Sequence, residues 1–131
     1  MKTKQTGFSL IEALVALLVL SIGLVGMAAL QTRALIDAQQ SYLDSVATLA
    51  AVDAQERLWV KLGENRDCST IALAEISEDW EDSWFNGSDS PLKNKTGNVE
   101  ENSEDEDNCD FIITINVSDD PFKFFIRLPK L

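Results

Sequence analysis

The sequence predicts an α+β protein in which one long N-terminal α-helix packs on a small antiparallel sheet, with a short second helix and a long acidic loop. Three observations predict it. Residues 13–32 are consecutively uncharged, and an amphipathic helical pattern then continues to residue 62. Two runs rich in β-branched and aromatic residues close the chain and predict a hairpin. We therefore expect a membrane-anchored helix that carries a small head.

Charge is distributed unevenly along the chain. The 131 residues carry 11 basic and 22 acidic side chains, a net charge of −11, but the first 36 residues hold only Lys2, Lys4, Glu12 and Arg33. The remaining 95 residues have a net charge of −13. Histidine is absent and there are two cysteines, so neither imidazole catalysis nor a zinc cage is expected. Clustered Lys and Arg for a nucleic-acid partner are also missing. The composition predicts no enzyme, no cofactor and no bound metal.

The uncharged stretch at residues 13–32 predicts a membrane span. At about 1.5 Å per residue its 20 residues cross a hydrocarbon core of about 30 Å. A cleaved secretory signal, the alternative, has a shorter apolar core and a break after its small residues. Lys2 and Lys4 precede the span, while acidic residues soon follow Arg33. The positive-inside rule therefore predicts a cytoplasmic N-terminus and an exported body.

Glu12 is the unusual residue of this segment, since it is a carboxylate at the start of an otherwise uncharged helix. An ionised acid in hydrocarbon costs at least about 2.5–3.5 kcal/mol, so Glu12 requires a partner. Lys4 lies two turns back, beyond Gly7. Cleavage between Gly7 and Phe8 would place a new α-ammonium one turn from Glu12, at the helix end whose dipole favours an acid.

The residues KTKQTGFSLIEALVALLVLSIGLVGMAALQ resemble the N-terminal signal of type IV prepilins. The resemblance implies that a prepilin peptidase cuts after Gly7, that Phe8 becomes the N-methylated terminus, and that Glu12 serves subunit assembly. It also implies a pilin fold with a leader at residues 1–7, a membrane and assembly half of the helix at 8–34, and a periplasmic head at 35–131. A plain single-pass anchor remains the alternative.

Within this family, the run SIGLVGMAALQ at residues 21–31 is similar to that of minor pilins. The resemblance implies an inner-membrane protein that contacts other minor and major pilins through its helix and joins a pilus. Type II secretion minor pseudopilins have a similar helix and are the alternative. A proline that major pilins carry in this helix is absent, whereas Gly23 and Gly26 either weaken the helix or allow close helix packing.

Periodicity predicts that the helix runs from about Phe8 to Leu62 and that Gly63 stops it. The residues at spacings of three, four and seven predict its packed stripe. They are Leu35, Ala38, Tyr42, Val46, Leu49, Val52 and Trp59, with Leu43, Ala47, Ala50, Ala54, Leu58 and Leu62 alongside. A helix that is apolar on one face in this half requires a small domain packed on that face.

Residues 69–85 predict a second helix, in which Trp80 and Trp84 are core contacts against the long helix rather than a ligand site. Residues 86–108 have few large apolar side chains and predict a long irregular loop. Residues 111–117 and 122–128 predict the hairpin.

Cys68 and Cys109 both lie beyond the span, in a body that is predicted to enter an oxidising compartment, so we expect a disulfide between them; free reactive thiols are the alternative. Seven of the eleven residues from 100 to 110 are acidic. They predict a solvated loop; a calcium-binding or ligand-binding role, which would make the chain a membrane-anchored binding protein, is the alternative. Lys123 and Arg127 are expected to pair across the sheet or to protect an edge strand, with a docking role as the alternative.

Overall fold

The computed structural model describes residues 9–102 and 109–130. Its elements are α1 (Leu10–Asn65), α2 (Leu73–Glu81), β1 (Thr96–Glu101), β2 (Asp110–Asn116) and β3 (Phe122–Arg127). A 3-10 turn at Cys68–Thr70 precedes α2, and a π-helical turn at Asp82–Asn86 follows it. The chain divides into two compact units, one that ends at Gln40 and one that begins at Ser41. The second unit is called the head below.

The predicted α+β architecture is confirmed, since the structure has a long N-terminal helix, a short second helix and a three-stranded antiparallel sheet of order β1-β2-β3. Ile113 of β2 lies opposite Val99 of β1 and Phe124 of β3. Because neighbouring residues of a strand face opposite sides, this register places Phe111, Ile113 and Ile115 together on the buried face. The sheet core is therefore supplied mainly by β2, its central strand.

Two sequence-based boundaries were wrong. Gly63 does not stop α1, which continues to Asn65, and the left-handed residue is Arg66 with φ 57°. The segment 86–108 is not one irregular loop, because Thr96–Glu101 forms β1 on the edge of the sheet. The composition of β1, TGNVEE, has a single large apolar residue, and that residue, Val99, is buried. This segment is a strand because it pairs with β2, and its own residue composition did not predict strand structure.

The predicted packed stripe of α1 is confirmed in part. Tyr42, Leu49 and Trp59 are exposed, whereas Val46 and five of the six residues predicted alongside the stripe are buried. The buried residues form an arc on the opposite side of the helix. That arc consists of Val46, Ala47, Ala50, Ala51, Ala54, Leu58 and Leu62. Small side chains are buried here because Trp80 lies against the helix: its indole Nε1 donates a 2.8 Å hydrogen bond to the carbonyl oxygen of Ala50. The head half of α1 is therefore apolar on two opposite faces, of which one is packed.

Trp80 occupies the centre of the head, as predicted for a core contact. Its ring meets that of Phe85 edge to face, with centroids 5.1 Å apart, and both rings lie over Gly97 of β1. A Cβ at Gly97 would come within 2.5 Å of Trp80 and 2.6 Å of Phe85. Glycine is thus required where the sheet approaches the two aromatic rings.

Candidate functional site

The candidate assembly segment is the first part of α1. Ser9 precedes the helix, and its carbonyl oxygen accepts hydrogen bonds from the backbone N–H of Glu12 at 2.9 Å and of Ala13 at 3.3 Å. Glu12 therefore lies in the first turn, where the exposed N–H groups favour a negative charge. Its side chain is exposed and has no ion-pair partner among residues 9–102 and 109–130. Gly7 and Phe8, the predicted cleavage and methylation residues, lie outside the described residues.

The apolar side chains that follow Glu12 are uncovered. Between residues 10 and 40, all of which the structure describes, no side chain is buried. α1 contains a stretch that is long and apolar enough to cross a membrane, near its N-terminus. An uncovered apolar surface of this extent is unfavourable in water and is stable in a bilayer or among like helices. The segment is thus suited to membrane anchoring.

The two hydroxyl side chains of this segment, within residues 13–32, bond to the helix itself. Ser21 Oγ donates to the carbonyl oxygen of Leu17 at 2.7 Å, and Thr32 Oγ1 donates to that of Ala28 at 3.1 Å. An unsatisfied polar group in hydrocarbon costs several kcal/mol, so this bonding four residues back removes the obstacle to burial in lipid. Neither Gly23 nor Gly26 has any atom within 4 Å of a Cβ built on it. No contact within the described chain therefore requires glycine at these two positions.

Cys68 and Cys109 form the predicted disulfide, with their Cα atoms 5.6 Å apart. The turn that carries Cys68 is capped by Asp67, whose Oδ1 accepts hydrogen bonds from the backbone N–H of Ser69 at 3.0 Å and from its hydroxyl at 2.8 Å. Both bonds lower the pKa of Asp67, and the bond from the Ser69 backbone makes the larger contribution. The crosslink closes a loop that contains α2 and β1, and on the chain-entropy model a loop of this length contributes about 4 kcal/mol.

Arg127 pairs across the sheet, as predicted. Its Nε and one terminal nitrogen donate to the two carboxylate oxygens of Asp110 at 2.7 and 2.8 Å. This hydrogen bonding by the guanidinium lowers the pKa of Asp110. The backbone N–H of Leu128 also donates to the carbonyl oxygen of Cys109 at 2.8 Å. The start of β2, the end of β3 and the disulfide are consequently fixed to one another.

A second polar connection joins α1 to the π-helical turn and was not predicted. Asp53 Oδ2 accepts hydrogen bonds from Arg57 Nε at 2.9 Å and from the indole Nε1 of Trp84 at 2.8 Å. Trp84 is partly buried and packs against the core, so the prediction that it contacts the core is confirmed. It lies at the edge of the core, however, and not in its centre. The spacing of Asp53 and Arg57 by four residues indicates their ion pair, but no signal in the sequence relates either residue to Trp84.

The acidic segment offers no described cation site. Within residues 9–102 and 109–130, no group of three or more carboxylate or cysteine side chains could hold a metal ion. Glu104, Asp105, Glu106 and Asp107, which form most of the predicted acidic cluster, lie outside the described residues. The calcium-binding alternative therefore has no support from the described carboxylates.

Comparison with known protein families gives a match at the N-terminus. Residues 2–28 match the family described as the prokaryotic N-terminal methylation motif. The match covers Gly7, Phe8 and Glu12 and supports a type IV pilin-like, prepilin-type protein, a class that includes pseudopilins. Searches of curated proteins and of solved structures found no match. The methylation motif and the uncovered apolar helix therefore fit a membrane-anchored structural protein that a prepilin peptidase processes.

Proposed function

We propose that this protein is a minor pilin of the type IV pilus, similar to PilV, the type IV pilus modification protein. It is inserted in the bacterial inner membrane with its N-terminus in the cytoplasm and its head in the periplasm. It is cut after Gly7, is methylated on Phe8, and joins a minor-pilin complex that primes pilus assembly or lies at the tip. The observation that supports this proposal most directly is the methylation motif at residues 2–28, which continues into an uncovered apolar helix that begins at Leu10.

In this proposal Glu12 has an intermolecular partner. The described part of the chain supplies no cation to its carboxylate. The N-terminal ammonium of a neighbouring processed subunit carries the required charge, and a pair shielded from water by surrounding apolar helices is stronger than one in solvent. Loss of the Glu12 charge would leave that ammonium unpaired in the assembled helices.

The role is structural, and the residues beyond the membrane segment serve to build and fix the head. A minor pseudopilin of a type II secretion system is the alternative, because its N-terminal helix and processing signal are similar. The neighbouring genes separate these two assignments, since a pilus and a secretion system are encoded with different partner proteins.

Processing is tested by coexpression of the full chain with a prepilin peptidase. The chain is expected to become seven residues shorter, and Gly7→Leu is expected to leave it at full length, as measured by intact mass. Gly63→Ala, a glycine substitution in the head part of α1, is the control and should be cut normally. If neither the original chain nor the control is shortened, the pilin proposal is refuted.

Assembly is tested with Glu12→Gln, which removes the charge and retains the shape. The variant should be processed, because the Gly7 and Phe8 positions are intact, but it should be recovered in sheared filaments at less than about a tenth of the normal amount. Glu78→Gln removes an exposed carboxylate from α2 and should assemble normally. Equal recovery of both variants would contradict the proposed role of Glu12.

A further inference from the structure

The head has a second apolar face on α1, opposite the packed one. Tyr42, Leu49, Val52, Glu56 and Trp59 follow one another at spacings of 7, 3, 4 and 3 residues. Such spacings place side chains in one line along a helix, as in the seam of a coiled coil. All five are exposed, and Tyr42 and Leu49 retain 62% and 61% of their accessible surface. We call this set of five residues the docking face.

The charged residue of the docking face is a carboxylate, that of Glu56. Arg57 is bound to Asp53, and Lys61 lies 3.2 Å from Glu64 and 3.9 Å from Glu75. Glu56 has no ion-pair partner among the residues that the structure describes. A carboxylate on an otherwise apolar helix face disfavours burial by a purely apolar partner surface. It favours a partner surface that carries a positive charge.

A cavity of about 350 Å³ between α1 and α2 adjoins the docking face at Glu56. Arg57 and Lys61 also line it, but each is ion-paired with carboxylates of the described chain. Val60 and Ile76 contribute apolar atoms, and Asp79 adds a second carboxylate without an ion-pair partner in the described chain. A lysine or arginine side chain fits this lining, because its apolar stem can lie against Val60 while its charged end lies beside Glu56 or Asp79. The two unpaired carboxylates therefore favour a basic side chain next to an apolar helix.

A second copy of this chain does not supply that side chain. Two copies anchored through their N-termini would run parallel, an orientation that rests on the proposed function. In register, Glu56 would face Glu56, and like charges repel. With a shift along the line, Glu56 would face Leu49, Val52 or Trp59 and would be buried without a partner. None of the five residues of the docking face is basic.

We infer that the docking face binds an α-helix of a different protein, which covers Leu49 and Trp59 with apolar residues and extends one lysine or arginine into the cavity beside Glu56. This contact lies in the head. It selects a partner by charge, whereas the membrane half of α1 offers an almost uniformly apolar surface.

The test places a photo-crosslinking amino acid at Leu49 of the full chain in the cells that produce it, and in a parallel strain at Val15 of the membrane half. Mass spectrometry then identifies both the crosslinked protein and the crosslinked peptide. From Leu49 we expect an adduct with a different protein, in a helical peptide that has a lysine or arginine within one turn of the crosslink.

Charge dependence is measured with Glu56→Lys, which should reduce the Leu49 adduct up to about fivefold, the upper end of what an exposed charge pair contributes. Glu78→Lys makes the same charge change on an exposed residue of α2 and should leave the yield unchanged. Equal yields in the two variants would overturn the assignment of Glu56.

The remaining outcomes are distinct. An adduct of this chain with itself from Leu49, or no adduct from Leu49 while Val15 crosslinks to other pilins, overturns the docking face and leaves the proposed function intact. No adduct from either position contradicts both. A Leu49 adduct to a peptide without a nearby basic residue overturns the charge selection.

Discussion

The two halves of α1 differ in a way that hydrophobicity alone does not predict. The more apolar half, residues 10–40, has no buried side chain, whereas the part in the head buries seven residues, four of which are alanines. In the head, small side chains on α1 allow close packing. The indole of Trp80 reaches the backbone carbonyl oxygen of Ala50 because the side chains around that carbonyl are alanines. The comparison teaches that the head half is shaped by this chain's own packing, and the first half by an environment outside the chain.

The largest expected change in stability comes from removing a core side chain of the head, compared with removing an exposed side chain of the first half of α1. Trp80→Ala should destabilise the head by about 3–5 kcal/mol, because it leaves a large cavity and removes the hydrogen bond to Ala50. Denaturant unfolding of the full chain in detergent, followed by near-ultraviolet circular dichroism, measures the change. Leu24→Ala removes an exposed side chain of the first half and should leave the unfolding midpoint unchanged. A similar loss in both variants would mean that the head also depends on the first half of α1, and no loss for Trp80→Ala would mean that it does not depend on its own core.

Gly97→Ala should destabilise the head by about 1–3 kcal/mol, because the added methyl group overlaps the rings of Trp80 and Phe85. The matched control is Gly63→Ala, where a Cβ has no atom within 4 Å and where alanine favours the helix by up to about 1 kcal/mol. Thermal unfolding should shift in opposite directions for the two variants. A Gly97→Ala protein as stable as the original would show that the sheet does not approach the aromatic pair closely.

Acid sensitivity is expected in the head. Arg127 lowers the pKa of Asp110, so this pair contributes stability above the ordinary aspartate pKa of about 3.9 and loses it as the pH falls through the lowered value. Asp110→Asn should therefore lower stability at pH 7 and flatten its dependence on pH between about 4 and 2. Urea midpoints across this range measure both effects. Asp119→Asn, an exposed carboxylate in the β2–β3 turn, is the control.

The smallest effect on stability is expected in the first half. Gly23→Ala and Gly26→Ala should leave the unfolding of the head unchanged, because the described chain has nothing near either position. Filament yield is the sensitive measurement, and it should fall if neighbouring helices approach closely at these glycines. Normal yield together with unchanged unfolding would favour the alternative, in which the glycines only loosen the helix.

The sequence predicted the elements that have strong local signals and missed those that depend on pairing. The apolar stretch, the Cys68–Cys109 link and the hairpin of β2 and β3 follow from composition and spacing. Strand β1 does not, because Val99 is its only large apolar residue and its partner strand lies about 15 residues away.

The error in the stripe of α1 has a different cause. Spacing favoured the large residues Tyr42, Leu49 and Trp59 and grouped the alanines of the buried arc with them, although the two sets lie on opposite sides of the helix. Two apolar arcs on one helix could have been recognised from the sequence, but the position of Trp80, which selects the alanine arc, comes only from the tertiary structure. The same selection leaves the docking face exposed.

The Cys68–Cys109 bond also changes how the chain carries a load. Along the backbone, Cys68, which follows the long helix, and Cys109, which precedes β2, are 41 positions apart, but the covalent path through the two sulfur atoms bypasses the segment between them. Tension applied between the N-terminal helix and the C-terminal strands would pass through this bond and leave α2 and β1 unstretched. A protease cut at any point between the two cysteines would likewise leave the strands tethered to the anchor.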